Sequence, residues 1–405
     1  MRNGDVVKMN LKVLGSTKVG YELPVEEAIK FSGMEAGMCY MPDNLETLLS
    51  ENEEKTIKRA KMTMGSGHHS VFDHPKYNFA LEEIPKILAI ILNNEKVYDT
   101  SEKSARYTKM KPSKEEETLY EKWIELYSKE IEKVYPKVKE DGKTNEEIEK
   151  ANKARNTAIR KKAQENARYL ISVFTPATTM GHTIDLRQFS YILHWMDDFV
   201  ETAENTEFNK MLKPVLTDFT KMCEKYKIEE VNTNVKKRKL SLFATEERQE
   251  EWGENYCTTY VATFSEFAQA QRHRTISYEI SFLPEPQFFV PPIIKGTNLE
   301  QEWIKDISSL AHRFPQGMLI KINERGTVEN FVLKCYERLC GEAQLEIAMQ
   351  TYDTLQKYLE NTKGVKPRVY NYLKDYAKGA RCTFAGFKCS KPCIWGAKNA
   401  LDRVF

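Results

Sequence analysis

Long stretches in which apolar side chains return every three or four residues dominate the chain. The clearest lies at 114–165, where Leu119, Trp123, Leu126, Tyr127, Ile131 and Val134 share one face and Glu and Lys fill the other, the stripe of an amphipathic helix. Asp141-Gly142 interrupts it, so the pattern predicts a long helix, a loop, and a second helix from about Asn145. Residues 184–200 read as a buried helix. Residues 256–274 also read as helical, with Val261, Phe264, Phe267 and Ala268 on one face, and further helices are expected over 299–313 and 327–354. Pro284, Pro286, Pro291 and Pro292 force an irregular loop between them. Strand signals are few and short, at 6–14, 77–81 and 318–322. The expected class is α+β with helix in excess.

A length of 405 residues suggests two or three domains, at about 100–200 residues each. The polar run Lys236-Lys237-Arg238-Lys239 and the charged stretch 245–251 mark a candidate linker. The longest apolar run, 87–92, is far short of the roughly 18 residues of a membrane span. The opening residues lack a signal peptide's apolar stretch. A cytoplasmic protein without a membrane partner is therefore expected, its eight cysteines kept as thiols. Lys plus Arg number 61 against 59 Asp plus Glu. That balance argues against a general nucleic-acid binder but leaves room for a basic pocket holding one phosphorylated metabolite.

Four constellations carry candidate chemistry. Gln269 and Arg272 end an apolar run in the segment Gln269-Ala270-Gln271-Arg272-His273-Arg274, where the guanidinium groups suit bidentate grip on a phosphate or carboxylate. Gly67-His68-His69-Ser70-Val71-Phe72-Asp73-His74 clusters histidines at a spacing that fits no standard zinc pattern. Ser101-Glu102-Lys103-Ser104-Ala105-Arg106-Tyr107 packs an acid, a hydroxyl and a guanidinium together, as a phosphate and a donor-rich base edge require. Cys382, Cys389 and Cys393 would bind a metal only with a fourth ligand from elsewhere, and free thiols in a packed tail are the competing reading. No metal is otherwise expected.

Together these pieces resemble the flavin-dependent thymidylate synthases, the ThyX family. That family has a Gly-His-x-Ser/Thr-x-x-Glu-His element ahead of Arg-His-Arg-x-x-Ser-x-Asn-x-x-Ser-x-Arg-Tyr. The resemblance runs over about residues 20–350, and the motif occurs in two partial copies. Counting back from Ser104, the first copy has Asn94-Glu95-Lys96 in place of the cationic triplet but keeps Glu102, Ser104 and Arg106. The second keeps Arg272-His273-Arg274 but has no arginine between Arg274 and Arg313. Arg168 belongs to the first set, and Arg338, ahead of Ala343-Gln344-Leu345-Glu346-Ile347, to the second. The resemblance implies two tandem ThyX-like domains, each a small twisted sheet with long helices. The first is expected at 1–234, followed by a linker at 235–254, a second domain at 255–360 and a Cys-containing tail at 361–405.

It also implies an activity. The chain would transfer a methylene group from methylenetetrahydrofolate to C5 of dUMP, with FAD as cofactor and NADPH as reductant. A related pyrimidine-nucleotide C5 transferase or a nucleotide-binding homologue without turnover is the alternative. Gln269, Arg272, Glu102, Ser104, Arg106, Arg168 and Arg338 would bind the nucleotide. Arg338 would polarise the uracil carbonyl and Ser104 would donate near the base. His68, Ser70, Arg272, His273, Arg274 and Arg187 would contact FAD. Departures from the pattern are Asp73, Asp99, Glu279 and the stretch Asp185-Leu186-Arg187. Two chains are expected to form a homodimer that reproduces the family's four-domain assembly.

Overall fold

Helix starts are written into the sequence as caps. Ser113 with Glu116 and Thr144 with Glu147 form reciprocal capping boxes, and Asn52, Asp185, Thr206, Thr263 and Thr327 each accept a bond from a backbone N–H of the first turn. The computed structural model describes residues 18–40, 45–67, 69–104, 108–231, 239–243, 248–390 and 393–405. The expected strand at 6–14, His68, Arg106 and the linker residues 235–238 and 244–247 lie outside the described residues.

The chain divides into two compact units, Met1–Tyr77 and Asn78–Phe405. The first holds α1 (Val25–Tyr40), α2 (Leu45–Leu49), α3 (Glu53–Gly65) and a short 3-10 helix, His69–Asp73. Within it α1 lies directly on α3. Gly33 faces Thr56 and Ala60 with no room for a side chain, and Arg59 donates to Gly33 O (3.0 Å) and to Glu51 (2.7 Å).

The second unit contains both sheets. Strand β1 (Lys76–Pro85) leads into it and runs straight into α4 (Lys86–Leu92), followed by β2 (Asp99–Glu102). Then come α5 (Lys114–Val134), α6 (Asn145–Ala167), β3 (Pro176–Asp185), α7 (Leu186–Thr202) and α8 (Glu207–Met222). The second series is β4 (Glu251–Trp252), β5 (Asn255–Thr263), α9 (Phe264–Ala270), β6 (Ser277–Phe282), α10 (Leu299–Ser309), β7 (Leu319–Thr327) and α11 (Val328–Arg338). It closes with α12 (Leu345–Thr362), α13 (Pro367–Leu373) and α14 (Gly396–Asn399). The sheets have strand orders β1-β3-β2 and β4-β5-β7-β6, and the pairs β2–β3, β4–β5, β5–β7 and β6–β7 are antiparallel. About 55% of the described residues are helical and 15% are strand, so the class is α+β with helix in excess.

Two segments follow one plan. In each, a strand passes without a loop into a seven-residue helix, α4 or α9, and a short edge strand begins seven positions after that helix ends. Lys86 and Phe264, like Asp99 and Ser277, stand 178 positions apart, and the capping residues Asp185 and Thr327 stand 142 apart. The registers correspond under the same offsets: Asp99 pairs with Thr183, and Ser277 pairs with Arg325. The first offset sets Asn94-Glu95-Lys96 against Arg272-His273-Arg274, and the second sets Met196 against Arg338.

Three expectations need correction. Residues 256–274 are not one helix, because 255–263 is strand β5. There Tyr256, Thr258, Tyr260 and Ala262 point inward, and Val261, expected on the buried helix face, is 48% exposed. A run of aromatic and β-branched residues takes a strand when a neighbouring strand, here β7, is available to pair with it. The single helix expected over 327–354 is instead α11 and α12 with a break at 339–344. Gly341 in that break packs against Cys393 and Trp395, with no space for a side chain. The helix expected to reach 313 ends at Ser309 and continues as the 3-10 turn Ala311–Arg313. The strands at 99–102, 176–185 and 277–282 carried no pattern that marked them.

The core behind the site is aromatic. Trp123 and Tyr127 of α5 meet Trp303 of α10 edge-on, with ring centroids 4.8 and 5.5 Å apart. Glu116, fully buried, accepts from Ser172 N (2.8 Å) and Thr175 Oγ1 (2.9 Å), tying the start of α5 to the segment that follows α6. Gly317 lies so close to Tyr169 that a Cβ would meet its side chain at 2.8 Å, and Gly317 N donates to Tyr169 O (2.8 Å). This seam fixes Arg168 beside Gln316.

Candidate nucleotide-binding cavity

A cavity of about 200 Å³ opens between the two sheets of the second unit. Six of the seven residues expected to bind a nucleotide line it: Glu102, Ser104, Arg168, Gln269, Arg272 and Arg338. The seventh, Arg106, is outside the described residues. Five of the six come from the end of an element, and Ser104 follows β2 by two residues. Glu102 closes β2, Arg168 caps α6, Gln269 and Arg272 stand at the end of α9, and Arg338 is the last residue of α11. Element ends leave side chains and backbone groups pointing past the packed layers, where a ligand can reach them. Lys86, Lys103 and Lys109 add positive charge to the lining, which contains no cysteine among the described residues.

The acid in this cationic setting is held in place. Glu102, with a side chain 6% exposed, pairs with Lys86, accepts from Thr178 Oγ1 (3.0 Å) and faces Arg272 (3.7 Å). Burial alone would raise its pKa, but Lys86, Thr178 and Arg272 together outweigh burial and hold the carboxyl below its ordinary range. Glu102 thus stays ionised and orients both cations.

On the opposite wall a chain of amides and acids sets the geometry. Gln344 accepts from both Arg168 and Gln269 and donates to Tyr169 OH (2.6 Å). Tyr169 donates to Glu346 (3.0 Å), which also accepts from Thr263 N (2.9 Å) and Thr263 Oγ1 (2.8 Å). The side-chain oxygen of Gln269 is buried and accepts no bond among the described residues. It is therefore an acceptor on offer to a ligand N–H, since a buried acceptor left unpaired is costly. In the sequence 343–347 served only to locate Arg338, and Gln344, Tyr169 and Glu346 were missed as supports of Arg168 and Gln269. The polar Gln344 and Glu346 beside buried Leu345 and Ile347 were the available signal.

Arg338 donates through Nε to His273 Nε2 (2.8 Å) and through Nη2 to Gln269 O (2.9 Å). His273 is 9% exposed; burial first, then Arg338, Lys334 and Lys96, hold its pKa well below the usual histidine range. It is the neutral acceptor that aims Arg338. Arg274 points along the edge strand β2 instead, donating to Asp99 (2.8 Å) and Thr100 O (3.1 Å) over the Tyr98 ring. Arg187 is farther off. Its neighbour Asp185 lies seven residues along β3 from cavity-lining Thr178, about 24 Å in an extended strand. Ser70 sits exposed on the 3-10 helix of the first unit. Of the motif departures, Asp185 caps α7, Asp99 pairs with Arg274, and Glu279 pairs with Arg248 and Arg325.

Behind Arg338 the second sheet buries a dense ionisable group. Lys334 pairs with Glu324 at 2.5 Å, both fully buried, and Tyr256 (2.6 Å) and Tyr260 (2.9 Å) donate to the same carboxylate. Glu266 is also fully buried, and neither of its carboxyl oxygens has a partner among the described residues. Burial, opposed by Lys334 and reinforced by Glu346 and Glu324, pushes its pKa up to about 8. In the unfolded chain it ionises near 4.5. Between those values the folded state holds one proton more than the unfolded state. Stability therefore falls as pH rises across that window, by at most about 1.4 kcal/mol per unit. The variant Glu266→Gln is expected to flatten the decline in melting temperature between about pH 5 and about pH 8. A decline as steep as the wild type's would rule Glu266 out as its source.

Residues 27–223 match the family model described as thymidylate synthase complementing protein. That segment includes Glu102, Ser104 and Arg168 and ends before Gln269. A stretch of 76 residues, 18% of this chain, is 33% identical to a flavin-dependent thymidylate synthase of Clostridium tetani (strain Massachusetts / E88) and spans 30% of that protein's length. Among the described residues no helix is long and apolar enough to cross a membrane.

Proposed function

We infer that the chain, whose residues 27–223 match the thymidylate synthase complementing protein family, is a flavin-dependent thymidylate synthase whose cavity takes dUMP. One observation carries this reading: six family positions, split between two distant stretches of sequence, line a single cavity. The reading treats the chain as a tandem duplication in which each copy keeps the half of the motif that the other lost. The correspondence of element order, strand order and register supports it.

At the positions equivalent to Lys86, Glu102, Thr178, Gln269 and Arg338 the other crevice has Phe264, Ile280, Ile320, Ile91 and Met196, all buried. Phe208 packs on Phe264, Phe282 and Phe314 in the same region. Apolar side chains at these five positions, with uncharged Asn94 in place of Arg272, leave no cation there to hold a phosphate, so that crevice serves as core. One nucleotide per chain is expected by titration calorimetry, and two equal sites per chain would overturn the single-site reading.

In the live site Arg272, Arg168 and Lys103 suit the nucleotide phosphate. The unpartnered oxygen of Gln269 suits the imide N–H of a uracil, and Arg338, aimed by His273, suits its carbonyl. A cation at that carbonyl stabilises enolate character and makes C5 nucleophilic. Arg274, beside Tyr98 on the exposed edge of β2, is the described residue best placed to hold the FAD diphosphate, with Arg187 farther along the same sheet. When bound, the flavin supplies hydride chemistry. NADPH as reductant, methylenetetrahydrofolate as one-carbon donor and a homodimer complete the proposal.

The purified protein's absorbance spectrum is the first test, followed by anaerobic addition of NADPH with and without dUMP. The expected result is a flavin spectrum that bleaches faster with dUMP present, and dTMP by mass spectrometry once methylenetetrahydrofolate is added. A colourless protein that FAD does not reconstitute would refute the synthase and leave a nucleotide-binding homologue.

A further inference from the structure

Gln344 stands between two cavity residues, and its amide has only one workable orientation. The two ends of an amide differ in hydrogen-bonding sense, so its partners decide which way it points. Arg168 is a donor only, and its Nη2 meets Gln344 Oε1. The amide nitrogen is thereby turned to Tyr169, and Nε2 donates to the phenol oxygen at 2.6 Å. Tyr169 donates its own proton to Glu346 Oε2 (3.0 Å), a carboxyl also held by Thr263 N and Thr263 Oγ1. All five residues are buried, where each lost partner is costly and the sense of every bond is kept. Gln269 reaches the same Gln344 Oε1, and an oxygen can bind only the nitrogen end of its amide. What remains of the Gln269 amide is Oε1, buried and accepting no bond among the described residues. Gln269 lines the cavity, so the amide group it has left for a ligand is an acceptor.

We propose that Gln344 sets the base specificity of the cavity: it holds Gln269 with the acceptor end free, so that a uracil is bound and a cytosine is rejected. This rests on the reading of the cavity as a pyrimidine-nucleotide site. Uracil carries an N–H at N3, while neutral cytosine carries a lone pair there. The N–H completes a bond to Gln269 Oε1. The lone pair would oppose that oxygen in a buried place where neither finds a proton. Gln269 could accommodate cytosine only by turning its amide over, and that would set its oxygen against Gln344 Oε1. Gln344 could not follow, because its own rotation would set Nε2 against the Arg168 guanidinium, donor against donor. The choice of base is therefore fixed by a residue that does not touch it. Gln344 is a positioning residue: it acts through Gln269, while Tyr169 and Glu346 take up the N–H that the arrangement turns away.

Titration calorimetry of the full chain with dUMP and with dCMP, without folate or reductant, reads the ratio of the two dissociation constants. The wild type is expected to prefer dUMP by about 10²-fold, the size of one buried polar group left opposed. Gln344→Met keeps the bulk but not the acceptor, frees the Gln269 amide to turn, and should bring the ratio below about fivefold. Gln344→Glu still offers an oxygen to both Arg168 and Gln269, and should keep the ratio within about threefold of the wild type's. A purely structural role would weaken both nucleotides alike and leave the ratio unchanged. Melting curves establish that each variant is folded. If Gln344→Met is not, Gln269→Met removes the oriented acceptor itself and should lower the ratio equally. An unchanged ratio in the folded methionine variant, or a wild type that binds dUMP without preferring it, overturns the proposal and leaves the nucleotide site standing. A wild type that binds neither nucleotide overturns the pyrimidine-nucleotide reading and this proposal with it.

Discussion

The variant Arg338→Ala is expected to lower kcat/KM for dUMP by about 10²- to 10³-fold, since truncating one partner of a buried charged contact costs about 2–5 kcal/mol. Arg338 ends α11, where its guanidinium is fixed by neutral His273 and by the carbonyl of Gln269. Alanine removes the cation proposed for the base edge and leaves His273 without its donor. The loss should fall mainly on kcat, because a developing enolate needs the charge more than the bound ground state does. Arg338→Lys keeps a cation but not the paired N–H geometry, and should recover only part of the rate. Steady-state kinetics beside melting curves separate this from unfolding. Activity within threefold of wild type in a folded Arg338→Ala protein would remove Arg338 from the site.

The variant Lys334→Met should destabilise the fold by about 3–5 kcal/mol, among the largest single effects available away from the cavity. Lys334 and Glu324 are fully buried and paired, and methionine leaves the carboxylate without its cation. Tyr256 and Tyr260 still donate to it, but buried Glu266 stands near the same lysine. Denaturant titration measures the loss. The double variant Lys334→Met with Glu324→Gln should regain much of it, because a neutral buried pair carries no uncompensated charge. A loss under about 1 kcal/mol for the single variant would mean that water reaches the pair.

The helices were legible wherever period and cap agreed. The 114–134 and 145–167 pair, with the turn at Asp141-Gly142, needs only apolar spacing and two capping boxes to be recognised. The run at 87–92 was visible as apolar, and it became a fully buried helix, α4. β5 was illegible for a physical reason: Tyr, Thr and Val over 256–261 satisfy either period until β7 pairs with them. The edge strands β2 and β6 are short and have little burial pattern of their own. The break at 339–344 depends on the tail packing over Gly341, a contact that spans about fifty residues.

The sequence by itself determined the chemical inventory: which residues are cationic, which acid sits beside which hydroxyl, where helices start, and that each half of the motif lacks what the other keeps. Those are properties of residue type and short spacing, so they survive without a fold. Only the tertiary structure decided that Glu102, Arg168, Gln269 and Arg338 meet within one chain, and that the mirrored crevice is filled by Phe264, Ile280 and Met196. Each of these depends on strand pairing and helix-end placement across more than forty residues, where loop closure and burial set the outcome and local pattern has no say.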